Sequence, residues 1–161
     1  MKSIAISLIL ASTTGALWAQ SVDVKGAWAR TSVQGQKATG AFMTLTAREG
    51  AKLVSASSPA AGVVEVHEMK MDGDIMRMRA VTGGLDLPAG TAVELKPGGY
   101  HVMLMDLKAA LPKDTTVPLI LVFKNAKGVE SKIELKVPVS TAAPGAKSDG
   151  GAAMQMDQHK H

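Results

Sequence analysis

Turn signals recur along this chain about every ten residues, the spacing that bounds strands rather than helices. "VQGQ", "REGA", "DG", "TGG", "LPAG", "KPGG", "LPKD" and "NAKG" punctuate the body from Val22 to Val139. Between them no segment sustains an apolar stripe of period 3.6, whereas "AFMTLTA", "VVEVHEM", "HVMLMDL", "VPLILVF" and "VESKIELKVPV" follow β-type alternation. In the last of these, Ile133, Leu135, Val137 and Val139 share one parity with Val129, as a strand buried on one face requires. Many short strands at this spacing predict an antiparallel β-sandwich or barrel.

The two ends differ from the body. The opening "MKSIAISLILASTTGALWAQ" has a basic Lys2, an apolar run from Ile4 to Ala11 and small or neutral residues up to Ala19. It reads as a secretory signal peptide, residues 1–19, although Leu17 departs from the small residue preferred three positions before a cut. The apolar run is too short for a bilayer span, which needs about 20 residues, so no stable membrane insertion is expected after cleavage. Residues 20–139 form the predicted domain. After Val139, "STAAPGAKSDGGAAMQMDQHKH" is rich in Ala, Gly, Ser and Pro, and residues 140–161 read as a flexible tail.

Export implies a periplasmic location and an oxidising environment, in which thiols are captured or oxidised. The chain has no cysteine and avoids that chemistry. Without Lys2 the net charge is +3, spread without a basic block, and aromatic residues make up 3%. That combination argues against nucleic-acid binding.

With cysteine missing, thioethers and imidazoles are the available soft or borderline metal ligands. "HEMKMDGDIMRM", His67 to Met78, packs four of ten methionines around an Asp-Gly turn signal. A two-residue turn at Asp72 and Gly73 predicts a hairpin in which His67 faces Met78, Met69 faces Met76 and Glu68 faces Arg77, a complementary charge pair. In "GGYHVMLMDL", His101, Met103 and Met105 share one strand face, and Val102 and Leu104 the other. If the sheet joins these faces, His67, Met78, His101 and Met103 form a set of two nitrogens and two sulfurs. Met69, Met71, Met76 and Met105 read as packing or outer-shell sulfur.

Such a set suits monovalent copper: thioethers are soft, divalent copper prefers nitrogen and oxygen, and zinc rarely recruits methionine. Blue-copper electron transfer needs a cysteine thiolate. The pattern therefore points to holding and delivering copper. The competing reading is a secreted β-sandwich acting as an adhesion or assembly module, with methionine as flexible core filler. An enzyme is disfavoured, because no G-x-S-x-G elbow, P-loop or carboxylate pair is present.

The runs "VHEMKMDGDIMRMRAV" and "GGLDLPAGTAVELKPGGYHVMLMDL" resemble the periplasmic copper chaperones of the PCu(A)C type, whose motif is His, ten residues, Met, about twenty-one residues, then His-x-Met. Here ten residues separate His67 from Met78, and twenty-two separate Met78 from His101. The extra residue is expected in the turn region "TGGLDLPAGT". The resemblance spans roughly residues 24–139. It implies a cupredoxin-like antiparallel β-sandwich of Greek-key type that binds Cu(I) through His67, Met78, His101 and Met103. It also implies delivery to the cytochrome oxidase subunit that carries a copper centre, alongside a thioredoxin-fold assembly factor.

The tail ends in "MQMDQHKH". Met154 and Met156 suit Cu(I), and His159 and His161 with Asp157 suit Cu(II), so a second copper site is expected there, the competing reading being a random polar end or a cloning scar. A linker of about 20 residues spans roughly 25 Å, enough to reach the body.

Overall fold

The alternation of apolar and polar residues becomes ten strands in a computed structural model that describes residues 21–146. The predicted signal peptide and the tail residues Met154, Met156, His159 and His161 lie outside the described residues. In chain order the strands are β1 (Val22–Arg30), β2 (Ala38–Ala47), β3 (Ala51–Ser57), β4 (Ala61–Asp72), β5 (Ile75–Ala80), β6 (Leu85–Leu87), β7 (Ala92–Leu95), β8 (His101–Leu107), β9 (Thr116–Lys124) and β10 (Glu130–Ser140). Each turn signal falls between strands or overlaps a strand end by one residue. Part of "TGGLDLPAGT" is itself a strand, β6. No helix occurs among the described residues, so none there is long and apolar enough to cross a membrane.

One layer runs β5-β4-β8-β2-β1, with β7 also on β2; the other runs β10-β9-β3-β6. β2 serves two partners on one edge, pairing β8 over Ala38–Ala41 and β7 over Met43–Thr46. The layers join where β1 meets β10 at Ala29/Val139 and Arg30/Ser140. That junction is parallel, so the sandwich is not antiparallel throughout. A parallel pair needs a long crossover; here the whole body intervenes between its partners. Val102, Leu104 and Leu45 from one layer and Leu53, Leu119, Leu121, Phe123 and Val137 from the other are all under 2% exposed. Burying each such side chain stabilises the fold by about 1.5–3 kcal/mol.

The β4–β5 hairpin forms, but in a different register from that expected. The turn residues are Gly73 and Asp74, so Asp72 pairs with Ile75, Met71 with Met76, Met69 with Met78, Glu68 with Arg79 and His67 with Ala80. Gly73 has φ +64° and Asp74 is not left-handed. This is the pattern of a type II′ turn, which takes glycine at its first central position. "DGD" offers both solutions. The charge argument could not separate them, because Arg77 and Arg79 lie two residues apart: Glu68 accepts from Arg79 Nε at 2.6 Å, and Arg77 pairs with Asp72 at 2.9 Å. A slip of two preserves side-chain parity, so every residue stays on its expected face. What changes is the partner: His67 does not oppose Met78 directly.

Candidate metal centre

His67 lies between two strands, opposite Ala80 on β5 and opposite His101 on β8. The two imidazole rings are 5.9 Å apart, centre to centre, in an edge-on arrangement. Met78 is diagonal to His67 across the hairpin, at a separation that long side chains span. Met103 follows His101 on the same face of β8. The sequence-derived residues therefore come together around the outer face of the first layer, while Val102 and Leu104 point into the core.

A cleft of about 270 Å³ opens there, lined by Met69, Met78, His101, Met103, Gly40, Phe42 and Arg30 among others. His67 stands beside His101 rather than on the lining. Met69, read from sequence as packing or outer-shell sulfur, borders the cleft opposite Met78. Gly40 pairs with Met103 across β2, and a methyl group there would meet the Phe42 ring at 2.9 Å. Glycine thus keeps the floor open without displacing that ring. Phe42 in turn stacks on Trp28, with ring centres 4.8 Å apart, and lies 6.3 Å from His101. The Arg30 guanidinium lies 5.6 Å from the centre of the Phe42 ring, a cation–π distance.

The hydrogen bonds around the two histidines leave one nitrogen of each available. His101 Nδ1 donates to the Gly99 carbonyl at 3.1 Å, and His67 Nε2 donates to Glu65 Oε2 at 2.9 Å. The opposite atoms, His101 Nε2 and His67 Nδ1, are buried and have no protein partner. A buried imidazole nitrogen without a partner is costly unless something else occupies its lone pair. Orientation of a ring by a carbonyl or carboxylate on its far nitrogen is the arrangement found at metal-binding histidines. Metal–imidazole bonds are about 2 Å long, so rings at the observed spacing can face one ion. No group of three or more His, Asp or Glu gathers for a metal among the described residues, and the donors beside the two imidazoles are the thioethers of Met69, Met78 and Met103.

His101 is 5% exposed, and its pKa is held below the ordinary 6.5, first by desolvation. The Gly99 hydrogen bond opposes the shift, and the fields of His67 and Arg30 add to it. Its neutral, ligand-ready form therefore persists to lower pH. As pH falls below 6.5 the unfolded chain binds a proton that the folded chain refuses, until the lowered folded value is reached, so stability falls over that range. Urea midpoints of the metal-free protein should fall through that window, and fall less steeply in His101→Leu.

The competing packing interpretation requires the methionines to be inside. Met71, Met76 and Met78 are instead 55%, 51% and 47% exposed, and among the described residues Met43 is the one methionine that joins the core. Sequence reasoning passed over Glu65, Phe42, Trp28 and Arg30. Glu65 alone carried a signal, since it lies two residues before His67 on the same strand face.

A model of the LpqE-like family matches residues 22–139. The protein named "Putative lipoprotein Lxx21020" of Leifsonia xyli subsp. xyli is 31% identical over 121 residues, covering 75% of this chain and 73% of that one. Among solved structures, the Cu(I) form of DR1885 from Deinococcus radiodurans aligns with TM-score 0.52 and 30% identity, over 76% of this chain and 82% of that one. Apo-DR1885 gives 0.54 and 27%, over 87% and 93%. The copper-bound PCuAC domain from PmoF2 gives 0.55 at 22% identity, over 74% and 94%, a likeness of fold.

Proposed function

The chain belongs to the LpqE-like family and has the cupredoxin-like β-sandwich of the PCuAC domains, and on that premise we propose that it is a periplasmic copper chaperone. It holds Cu(I) with His67 Nδ1, His101 Nε2 and the thioethers of Met78 and Met103. The observation that carries this reading is the pair of buried imidazole nitrogens, each oriented from its far side and left without a partner beside three thioethers. Neutral sulfur ligands release no proton on binding, so acid weakens the complex through the histidines alone. Soft donors keep the ion monovalent, and the partly open cleft lets a recipient's ligands approach it. The copper-loaded forms of PmoF2 and DR1885 support copper as cargo.

The recipient in this proposal is the copper-bearing subunit of a cytochrome oxidase, served together with a thioredoxin-fold assembly factor. That assignment rests on the motif resemblance. Periplasmic location is supported by the basic and apolar opening and by the lipoprotein name of the relative.

Competition with a chromophoric Cu(I) chelator tests the reading. Wild type should retain the ion, and Met78→Ala should lose about tenfold or more in affinity, in the range seen when a metal site's supporting groups are removed. Failure of the wild-type protein to compete would overturn the proposal. The tail supplies the second, Cu(II) site through His159 and His161, with Met154 and Met156 available to Cu(I). Deleting residues 141–161 should lower Cu(II) stoichiometry and spare Cu(I) binding by the body. Unchanged Cu(II) uptake would refute the tail's role.

A further inference from the structure

We propose that the exposed sulfur face of the β4–β5 hairpin is a second Cu(I) site, where the opposed thioethers of Met71 and Met76 take up the ion and pass it to the Met69–Met78 rung. The inference deepens the copper-chaperone reading and rests on it.

The hairpin separates its side chains by chemistry. One face carries His67, Met69 and Met71 against Met76, Met78 and Ala80; the other carries Glu68, Lys70 and Asp72 against Ile75, Arg77 and Arg79. The charged face is tied by the Glu68–Arg79 and Asp72–Arg77 pairs. All six residues of β5 are exposed, and β5 is an edge of the sheet. Edge strands usually protect themselves with charge. Here the four positions nearest the tip on one face are all thioether, and Met71 and Met76 remain about half exposed, so burial does not account for them.

Register gives these sulfurs a ligand geometry. Directly opposed residues have Cβ atoms about 4.5–5.5 Å apart, so the two flexible side chains of a rung can converge on one soft ion. The Met71–Met76 rung lies two residues from the Met69–Met78 rung, about 6.5 Å along the strand. Met69 and Met78 already border the cleft that holds His101 and Met103. The rungs therefore form a path from the hairpin tip to the candidate metal centre. Transfer along it is ligand substitution: each step replaces one Cu(I)–thioether bond by another, and no electron or proton moves. The weaker, purely sulfur rung loads the ion; the imidazoles at the inner end retain it.

Methionine-methyl NMR of the full chain, titrated with Cu(I) under reducing, oxygen-free conditions, tests this directly. The first equivalent should move the Met103 methyl. Further copper should move the Met71 and Met76 methyls together, whatever Met154 and Met156 do. In Met71→Leu/Met76→Leu the first event should survive with slower loading from a chelator donor, and the hairpin event should vanish. Met71 and Met76 methyls that stay fixed while Met103 responds would overturn the second site alone. A Met103 methyl that also stays fixed would overturn the copper-chaperone reading itself.

Discussion

His101→Leu should lower the affinity for Cu(I) by more than about 100-fold, beyond the 10–100-fold cost of disturbing a metal site's supporting groups. The same variant should leave the metal-free protein as stable as wild type, or more so. Both expectations come from one atom. His101 Nε2 is buried without a protein partner, and such a group costs about 1–3 kcal/mol. Leucine removes that cost and fills similar volume beside Phe42. The Gly99 carbonyl released by the ring still accepts the Met69 backbone N–H at 3.3 Å. A histidine kept for packing would behave the other way: its loss would destabilise the fold and leave copper binding alone. Chelator competition and urea unfolding on the same preparation separate the two cases.

Phe123→Ala should do the converse. Phe123 is 1% exposed on β9, paired with Ser131 on β10 and Leu53 on β3, and it lines no part of the cleft. Truncating a buried phenylalanine costs about 3–5 kcal/mol, a large share of the roughly 5–15 kcal/mol that holds a domain together. With an m-value near 2 kcal/mol/M the urea midpoint should fall by roughly 2 M. Copper affinity of the folded fraction should be unchanged. A midpoint shift below about 0.5 M would mean that β9 is not the centre of the core.

Strands with clean alternation were legible from sequence: "HVMLMDL" is β8 from end to end, and Ile133, Val137 and Val139 are buried on β10 as their parity requires. β1 was not singled out. Its register breaks between Lys25 and Trp28, where Gly26 is left-handed, and a bulge of this kind erases the period of two. The parallel β1–β10 junction leaves no local trace, because its partners are separated by the whole body. In the hairpin, parity was readable and register was not. Two turn placements share one parity, and arginines at 77 and 79 satisfy Glu68 in either.

The candidate site divides along the same line. Residue types and faces follow from alternation, so the shared face of His67, His101, Met78 and Met103 was readable. The direct His67–His101 pairing is set by how β4 lies on β8, a non-local register. The groups that orient the rings differ in origin. Glu65 is two residues from His67 on its own strand, and Gly99 is a backbone carbonyl from the turn before β8. A carbonyl acceptor has no signature in side-chain identity. Met69 changed role because the slip placed it opposite Met78.

In the proposed site, imidazole and thioether from the hairpin and β8 share one ion. Copper K-edge X-ray absorption on the full chain, with Met154 and Met156 replaced by leucine and one equivalent of Cu(I) bound, measures that sharing directly. The expected result is a mixed shell, with nitrogen at about 2.0 Å and sulfur at about 2.3 Å on the scale of known metal–histidine and metal–sulfur bonds. A shell of nitrogen and oxygen without sulfur would contradict it.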